Sequence, residues 1–465
     1  MKLTYQVSDR PSFGKLVTFA IQQLLAIMTA TLVVPVVVNN ICGTSLSPAA
    51  ALFGAGVGTL VYLLFTKFRS PVFLGSSFAF INSMCASFAG AASMSVGYIG
   101  LIIGAAMAGL VYVVIALIVK LVGVKWISKI MPATVIGPTV AIIGLSLAGN
   151  ATGDLVSGGL KIDGASVCSP YIAALIGLVT LAVAMICSAY GKKSGKLIPF
   201  IYGILAGYAL AVILTVIGNA AGVDELKVVS FESFSALFAD GVKFTSFISL
   251  PDFTFIKFAE LDAGITGSYI ASLAVAYVPV AFVVFAEHIA DHTNLSSIIE
   301  KNLLEDPGLD RTLLGDGVGS IAGALFGGCP NTTYGESIGC VAITKNASVY
   351  TILTTAVGAI LVSFVSPFIA LVNSIPSCVM GGVCMALYGF IAVSGLKMIK
   401  DINLNENKNL FVVSVVLISG VGGLSFSFAN GTVTLTAVAT ALILGILTNL
   451  LLRRAPETES SEENR

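Results

Sequence analysis

The sequence predicts an all-α polytopic membrane protein, with 14 transmembrane segments arranged as two inverted 7-span repeats. Three observations carry that prediction. Of the 465 residues, 56% are hydrophobic and only 10% are charged, against about 25% charged in a soluble domain. The apolar runs are continuous and long enough for helices across a roughly 30 Å hydrocarbon core; a β-barrel would alternate in short units of about ten residues. Basic residues, finally, collect on one side of the predicted spans.

Taken in order, the segments are 16–38, 48–66, 71–90, 97–119, 130–149, 171–190, 197–222, 266–290, 312–329, 330–344, 347–372, 377–396, 409–427 and 431–452. Cytoplasmic loops carry an excess of Lys and Arg. With the N-terminus inside, the loops after even-numbered segments hold Lys67, Arg69, Lys120, Lys125, Lys129, Lys192, Lys193, Lys196, Lys301, Arg311, Lys345, Lys397, Lys400 and Lys408. The tails add Lys2, Arg10, Lys15, Arg453, Arg454 and Arg465, and only Lys161, Lys227, Lys243 and Lys257 fall outside. A miscount by one span would scramble this pattern, so both termini are expected in the cytoplasm. The longest connection, 223–265, divides the segments seven and seven. An odd number per half turns the halves opposite ways, as in the inverted repeats of secondary transporters. Within that connection "FTFIKFAELD" (Phe253 to Asp262) fits a short surface helix or a plain loop equally well.

Composition bounds the rest. A formal net charge of zero gives no argument for a nucleic-acid partner. The eight cysteines include no CxxC pair and read as small apolar packing residues. The polar start "MKLTYQVSDRPSFGK" has no apolar core ending in a cleavage site, so no removable signal peptide is expected.

Segments three and ten are interrupted. Segment three begins "SPVFLGSSFAF" and segment ten is "CPNTTYGESIG"; each opens at a proline, Pro71 or Pro330, and soon reaches Gly75 or Gly335. The stretch from Pro330 to Lys345 is too short to span as one helix at 1.5 Å per residue. Unpaired backbone at membrane depth survives only where protein buries it or a wet cavity lines it. Interrupted segments at matching places in the two halves point to a transport site. Two bent helices packed with small residues would also fit. The sequon Asn331-Thr332-Thr333 lies at membrane depth, so no glycosylation is expected there.

Segment eight, "AYVPVAFVVFAEHIADH", carries charge where charge is costly. Glu287 and Asp291 are four apart and share a helix face. An ionised carboxylate at a helix centre costs roughly 2.5–3.5 kcal/mol, and such groups by default mark an ion or substrate path. Glu287 is the deepest. Asp291, His288 and His292 lie nearer the cytoplasmic end, where solvation would account for them equally well. Asp316, in "LLGDGVGS", is expected at the cytoplasmic boundary. His288 and His292 form no HExxH motif, and no third His or clustered Cys completes a zinc shell, so neither a metal site nor a cofactor is expected.

"FLGSSFAFI" (Phe73 to Ile81), "AEHIADH" (Ala286 to His292), "DPGLDRTLLGDG" (Asp306 to Gly317), "PNTTYGESIG" (Pro330 to Gly339) and "VMGGVCMALYG" (Val379 to Gly389) resemble the nucleobase–ascorbate transporter family (nucleobase:cation symporter-2), its bacterial uracil-carrying members above all. The resemblance covers nearly the whole chain. It implies a core domain from 1–122 (segments one to four) and 266–375 (eight to eleven), and a gate domain from 123–222 (five to seven) and 376–454 (twelve to fourteen). The extracellular connection 223–265 lies between the halves, and a cytoplasmic tail, 455–465, follows. It also implies short antiparallel strands in segments three and ten that meet at mid-membrane. Carried over residue by residue, Glu287 and Glu336 match substrate-binding carboxylates. Phe78 and Gly335 match main-chain amide donors, with Ser77 beside Phe78, while Tyr334 and Tyr388 match aromatic neighbours. The resemblance implies a proton-coupled uracil symporter of the bacterial inner membrane, a homodimer, with Glu287 and Asp291 in proton coupling. Relatives that carry purines tend to have glutamine at Glu336. Three positions depart from the pattern: Asp291 stands where the uracil carriers have histidine, Gln23 where histidine also occurs, and Ser337 where asparagine occurs.

The chemistry fits without the analogy, because uracil alternates N–H donors with C=O acceptors around a flat ring. Hydrogen bonds to carboxylates are the strong ones. A carrier for another nucleobase such as xanthine remains an alternative. An anion transporter of the same architecture would need a positive or neutral site, and two carboxylates argue against it. An enzyme would need a metal set or a nucleophile elbow of the hydrolase kind; neither is expected, although "GESIG" (Gly335 to Gly339) has the G-x-S-x-G spacing.

Overall fold

All fourteen predicted segments are helical, wholly or in part, in the computed structural model of the chain, which describes residues 3–124, 126–162, 165–239, 241–428 and 433–454. The predicted tail 455–465, and Lys2, Lys125 and Arg465 among the counted charges, lie outside the described residues. The first half comprises α1 (Phe13–Cys42), α2 (Pro48–Phe65), β1 (Leu74–Ser76), α3 (Ile81–Ala89), α4 (Met94–Val122), α5 (Ala133–Ser146), α6 (Pro170–Tyr190) and α7 (Pro199–Ala221). The second comprises α8 (Gly267–Ile299), α9 (Leu309–Gly327), β2 (Asn331–Thr333), α10 (Gly335–Thr344), α11 (Val349–Val362), α12 (Ser377–Lys397), α13 (Asn407–Val421) and α14 (Ala437–Leu451). Among the described residues eight helices are long and apolar enough to cross a membrane. Several starts are fixed by local chemistry. Ser47, Ser93, Thr266 and Thr436 each accept a backbone N–H three residues on, and Pro48 stands in the first turn of α2, where its missing N–H costs nothing.

Four boundaries differ from the sequence reading. Helix α8 continues to Ile299, because Leu295 and Ile299 stay buried beyond the apolar run. Segment eleven breaks at Ser363, and a second helix, Ser366–Ser374, begins with a proline in its first turn. Segments thirteen and fourteen are shortened by a hairpin, Phe426–Phe428 against Val433–Leu435. Gly423 takes φ of +72° just past α13, a conformation that ends helices at glycine. In the long connection, Thr254–Glu260 forms a 3-10 helix.

The interruptions are strands. β1 and β2 pair antiparallel in the register Leu74–Thr333, Gly75–Thr332 and Ser76–Asn331, and Ser77 N–H extends the ladder to Pro330 O at 2.9 Å. Strands this short have edges, and in lipid each open edge group would be costly. Side chains close them. Leu74 N–H donates to the Thr59 hydroxyl (2.9 Å), Asn331 N–H to Ser320 (3.0 Å), and the Asn331 amide to Gly54 O (3.1 Å). Asn331 is only 2% exposed, so the sequon is inside the protein.

Packing follows the two halves. α2 lies against α9, each the second segment of its half, and both flank the strand pair together with α1 and α8, while α4 packs on α9 and α11 on α2. On the far side of the molecule α5 packs on α12, α6 on α7, and α13 on α14. The α2–α9 seam is built on glycine: a Cβ on Gly319 would sit 2.7 Å from Gly58 O, and one on Gly323 would collide with Asn331. Small residues let helix backbones approach in this way. Gly319→Val is therefore expected to destabilise the protein by about 1–3 kcal/mol, the usual effect of overpacking, read as a lower melting temperature in detergent. An unchanged melting temperature would show that the seam has slack.

Candidate functional site

Each strand runs directly into a helix that starts at the crossing. After β1 the chain enters a 3-10 turn at Phe78–Phe80 and then α3; after β2, α10 begins at Gly335. Phe78 and Gly335 are therefore first helical residues, whose N–H groups have no partner within the helix. The partial positive charge of a helix N-terminus favours acceptors and anions there. Glu336 lies in the first turn of α10. Gly75 is needed because the Tyr334 ring lies where a Cβ would project, and the Tyr334 hydroxyl donates to Ser76 O at 2.7 Å.

A cavity of about 340 Å³ opens at the start of α10, lined by Glu287, Asp291, Gly335 and Glu336 together with Phe200, Leu387 and Ile391. It extends to Lys196, Leu197 and Met398 at helix ends. A second cavity of about 40 Å³ shares Glu287, Gly335 and Glu336 with it and reaches Ser77, Phe78, Thr332 and Tyr334. Of the residues singled out in the sequence, Glu287, Glu336, Phe78, Gly335, Tyr334 and Ser77 thus come together. Asp291 lines only the larger cavity and accepts from the Thr333 hydroxyl at 2.7 Å. Tyr388 lines neither: it is buried, with its ring edge-on to Phe78 at 5.8 Å between centroids.

Two expectations are overturned. Asp316 is not at the boundary but fully buried, with Oδ2 2.7 Å from His288 Nδ1. Nor are His288 and His292 solvated. Both are fully buried and their rings stack at 4.0 Å. His288 Nε2 lies 3.0 Å from Thr312 Oγ1, and His292 Nδ1 donates to His288 O at 2.8 Å. The Tyr62 hydroxyl bridges His292 Nε2 and Ser70 Oγ, 2.7 Å from each. The reason is the thinness of α9: Gly315, Gly317, Gly319 and Gly323 let neighbours close over it on several sides. A carboxylate in such a helix must find a partner inside the protein. That run of glycines was the signal in the sequence.

Gln23 and Ser337, two of the departures, are partners. The Gln23 amide donates to Ser337 Oγ at 2.6 Å, and the same oxygen accepts Phe73 N–H at 3.2 Å. They tie α1 to α10 and to the approach of β1.

A family model described as "Permease family" matches residues 14–429. The chain belongs to that family, the nucleobase–ascorbate transporters. It is 38% identical over 467 residues to the uracil permease of Bacillus caldolyticus, covering 100% of this chain and 98% of that protein. To the uracil permease of Bacillus subtilis (strain 168) it is 36% identical, covering 99% and 97%, and to that of Escherichia coli (strain K12) 34%, covering 96% and 93%. Among solved structures, the transmembrane domain of the cyanobacterial bicarbonate transporter BicA aligns with a TM-score of 0.60 at 15% identity, over 96% of this chain and 99% of that one. The murine anion transporter Slc26a9 in its inward-facing state aligns with a TM-score of 0.61 at 12% identity, over 97% and 69%. At such identities the likeness is one of fold. The chain is a multi-pass membrane transporter and not an enzyme.

Ser337 is fully buried and lines neither cavity. Ser337→Ala would leave the buried Phe73 N–H unpaired and the Gln23 amide with only Ser337 O at 3.3 Å, at about 1–3 kcal/mol for such a loss. A melting temperature that falls by several degrees is expected, and one equal to wild type would contradict the tie between α1 and α10.

Proposed function

We propose that the chain is a uracil permease, carrying uracil inward with protons across the bacterial cytoplasmic membrane. One observation carries the reading: two carboxylates, Glu287 and Glu336, share a cavity with two helix starts, Phe78 and Gly335. The two Glu side chains accept from the ring N–H groups, and the Phe78 and Gly335 N–H groups donate to the carbonyl oxygens. Tyr334 lines the wall beside that ring, and Tyr388 supports Phe78 edge-on from behind. The names of the full-length relatives support uracil as the substrate. Two carboxylates in the cavity disfavour an anion, whatever the structural neighbours carry.

Transport follows by alternating access. The core domain, α1 to α4 with α8 to α11, carries the strands; the gate domain, α5 to α7 with α12 to α14, forms the opposite wall. With the basic loops and both termini in the cytoplasm, the cavity that reaches Lys196 and Met398 is open inward. The core moves against the gate with uracil held at the strand crossing, in a protein that functions as a homodimer. Glu287, deep in α8, exchanges the transported proton. Asp291 assists by holding β2 through Thr333 beside the same cavity.

The direct test is radiolabelled uracil uptake into proteoliposomes with and without an inward proton gradient, alongside a nucleobase panel that includes xanthine. Gradient-stimulated uptake selective for uracil is expected; uptake no faster than in empty liposomes would refute the reading.

Two variants probe the roles. Glu336→Gln keeps shape but turns an acceptor into a donor facing a ring N–H. Losing one charged partner of a buried pair costs on the order of 2–5 kcal/mol, so calorimetry should find uracil binding weakened at least thirtyfold (about 2 kcal/mol) in a folded protein. Unchanged affinity would remove Glu336 from the site. Glu287→Gln cannot release a proton, so gradient-driven accumulation should vanish while the protein still purifies folded; accumulation at the wild-type level would assign coupling elsewhere.

A further inference from the structure

We propose that Thr332 is a further substrate-binding residue, its hydroxyl donating to a carbonyl oxygen of the bound ring. The inference deepens the uracil reading and rests on it.

Strand β2 carries three polar side chains. Asn331 is engaged by Gly54 O at 3.1 Å, and Thr333 by Asp291 Oδ2 at 2.7 Å. Thr332 lies between them and points to the opposite face, as alternation along a strand requires. Its partner across the ladder is Gly75, which has no side chain to meet it. Thr332 is 3% exposed, and its hydroxyl has no hydrogen-bond partner among the described residues. Ser77, 1% exposed, is in the same condition. Buried polar groups are almost always paired, and each exception calls for an explanation.

Several buried polar atoms share this condition, but these two coincide in space. Ser77 and Thr332 come from different strands, yet both line the cavity of about 40 Å³ that also holds Glu287 and Glu336. That volume takes the polar edge of a ring, not a whole one. Ionised carboxylates only accept hydrogen bonds, so a ring whose N–H groups face them presents its oxygens elsewhere. Each carbonyl oxygen has two lone pairs, so beside the Phe78 and Gly335 amides there is room for a further donor. The backbone N–H of Ser77 is already bound to Pro330 O, and the strand backbones are paired with each other. The hydroxyls are what this face of the strands still offers, and of the two Thr332 is set in the strand itself.

The test compares the full-length protein with Thr332→Val and Thr332→Ser. Valine matches threonine in shape and lacks the hydroxyl, so the ligand-free protein should melt no lower than wild type, because an unpaired buried group has been removed. Uracil affinity by calorimetry should fall about tenfold, the scale of one lost hydrogen bond, and Thr332→Ser should restore it. Sulfur accepts hydrogen bonds weakly. Wild type should therefore discriminate against 2-thiouracil or 4-thiouracil, and Thr332→Val should discriminate less against the same analogue. Equal uracil affinity in wild type and Thr332→Val overturns the proposal alone. So does a lower melting temperature with affinity unchanged, which would make the hydroxyl structural. A folded wild-type protein that binds no nucleobase at all overturns the uracil reading and this proposal with it.

Discussion

The structure depends on one constraint: two short strands must pair at membrane depth. Six residues in the register Leu74–Thr333 to Ser76–Asn331 satisfy one another's backbone where lipid offers no hydrogen bonds. Everything nearby serves that pairing. Thr59, Ser320 and Asn331 close the strand edges, and the glycine seam between α2 and α9 lets those side chains reach them. Where the strands end, two helices begin, and their starts converge on one cavity. A polar ring finds donors at such a place before any side chain is counted.

The carboxylates add the acceptors. Glu287 comes from a continuous helix, α8, while Glu336 comes from the first turn of α10. One of them is thus fixed by the helix scaffold and the other by the strand crossing. Asp291 links the two systems through Thr333. Behind α8 a buried chain from Asp316 through His288 to His292 and Tyr62 fixes the rotation of that helix and hence the direction in which Glu287 points. In the proposed mechanism the proton and the substrate meet on elements that brace each other, so loading one bears on the other.

Much of this was legible in the sequence, for identifiable reasons. Segment positions follow from apolar runs and from basic loops, both of which the membrane imposes directly. The breaks at Pro71 and Pro330 announce themselves, since Pro330 to Lys345 is too short to span. Glu287 stands out because nothing else charged lies so deep in an apolar run. What was not legible depends on partners far apart in the chain. Asp316 and His288 look like solvated residues at helix ends until α9, with its glycines, is packed against its neighbours. Gln23 and Ser337 read as separate substitutions and prove to be one hydrogen-bonded pair. The hairpin at Phe426–Phe428 was hidden because its residues are as apolar as the helices it shortens.

The central claim is that the strand crossing is where substrate binds, and the most direct test is a structure of the full-length protein with uracil bound. The account predicts density for a flat ring between Glu287 and Glu336, its oxygens within hydrogen-bond distance of the Phe78 and Gly335 amides. Ring density anywhere else, with the strand crossing unchanged and occupied only by water, would contradict it.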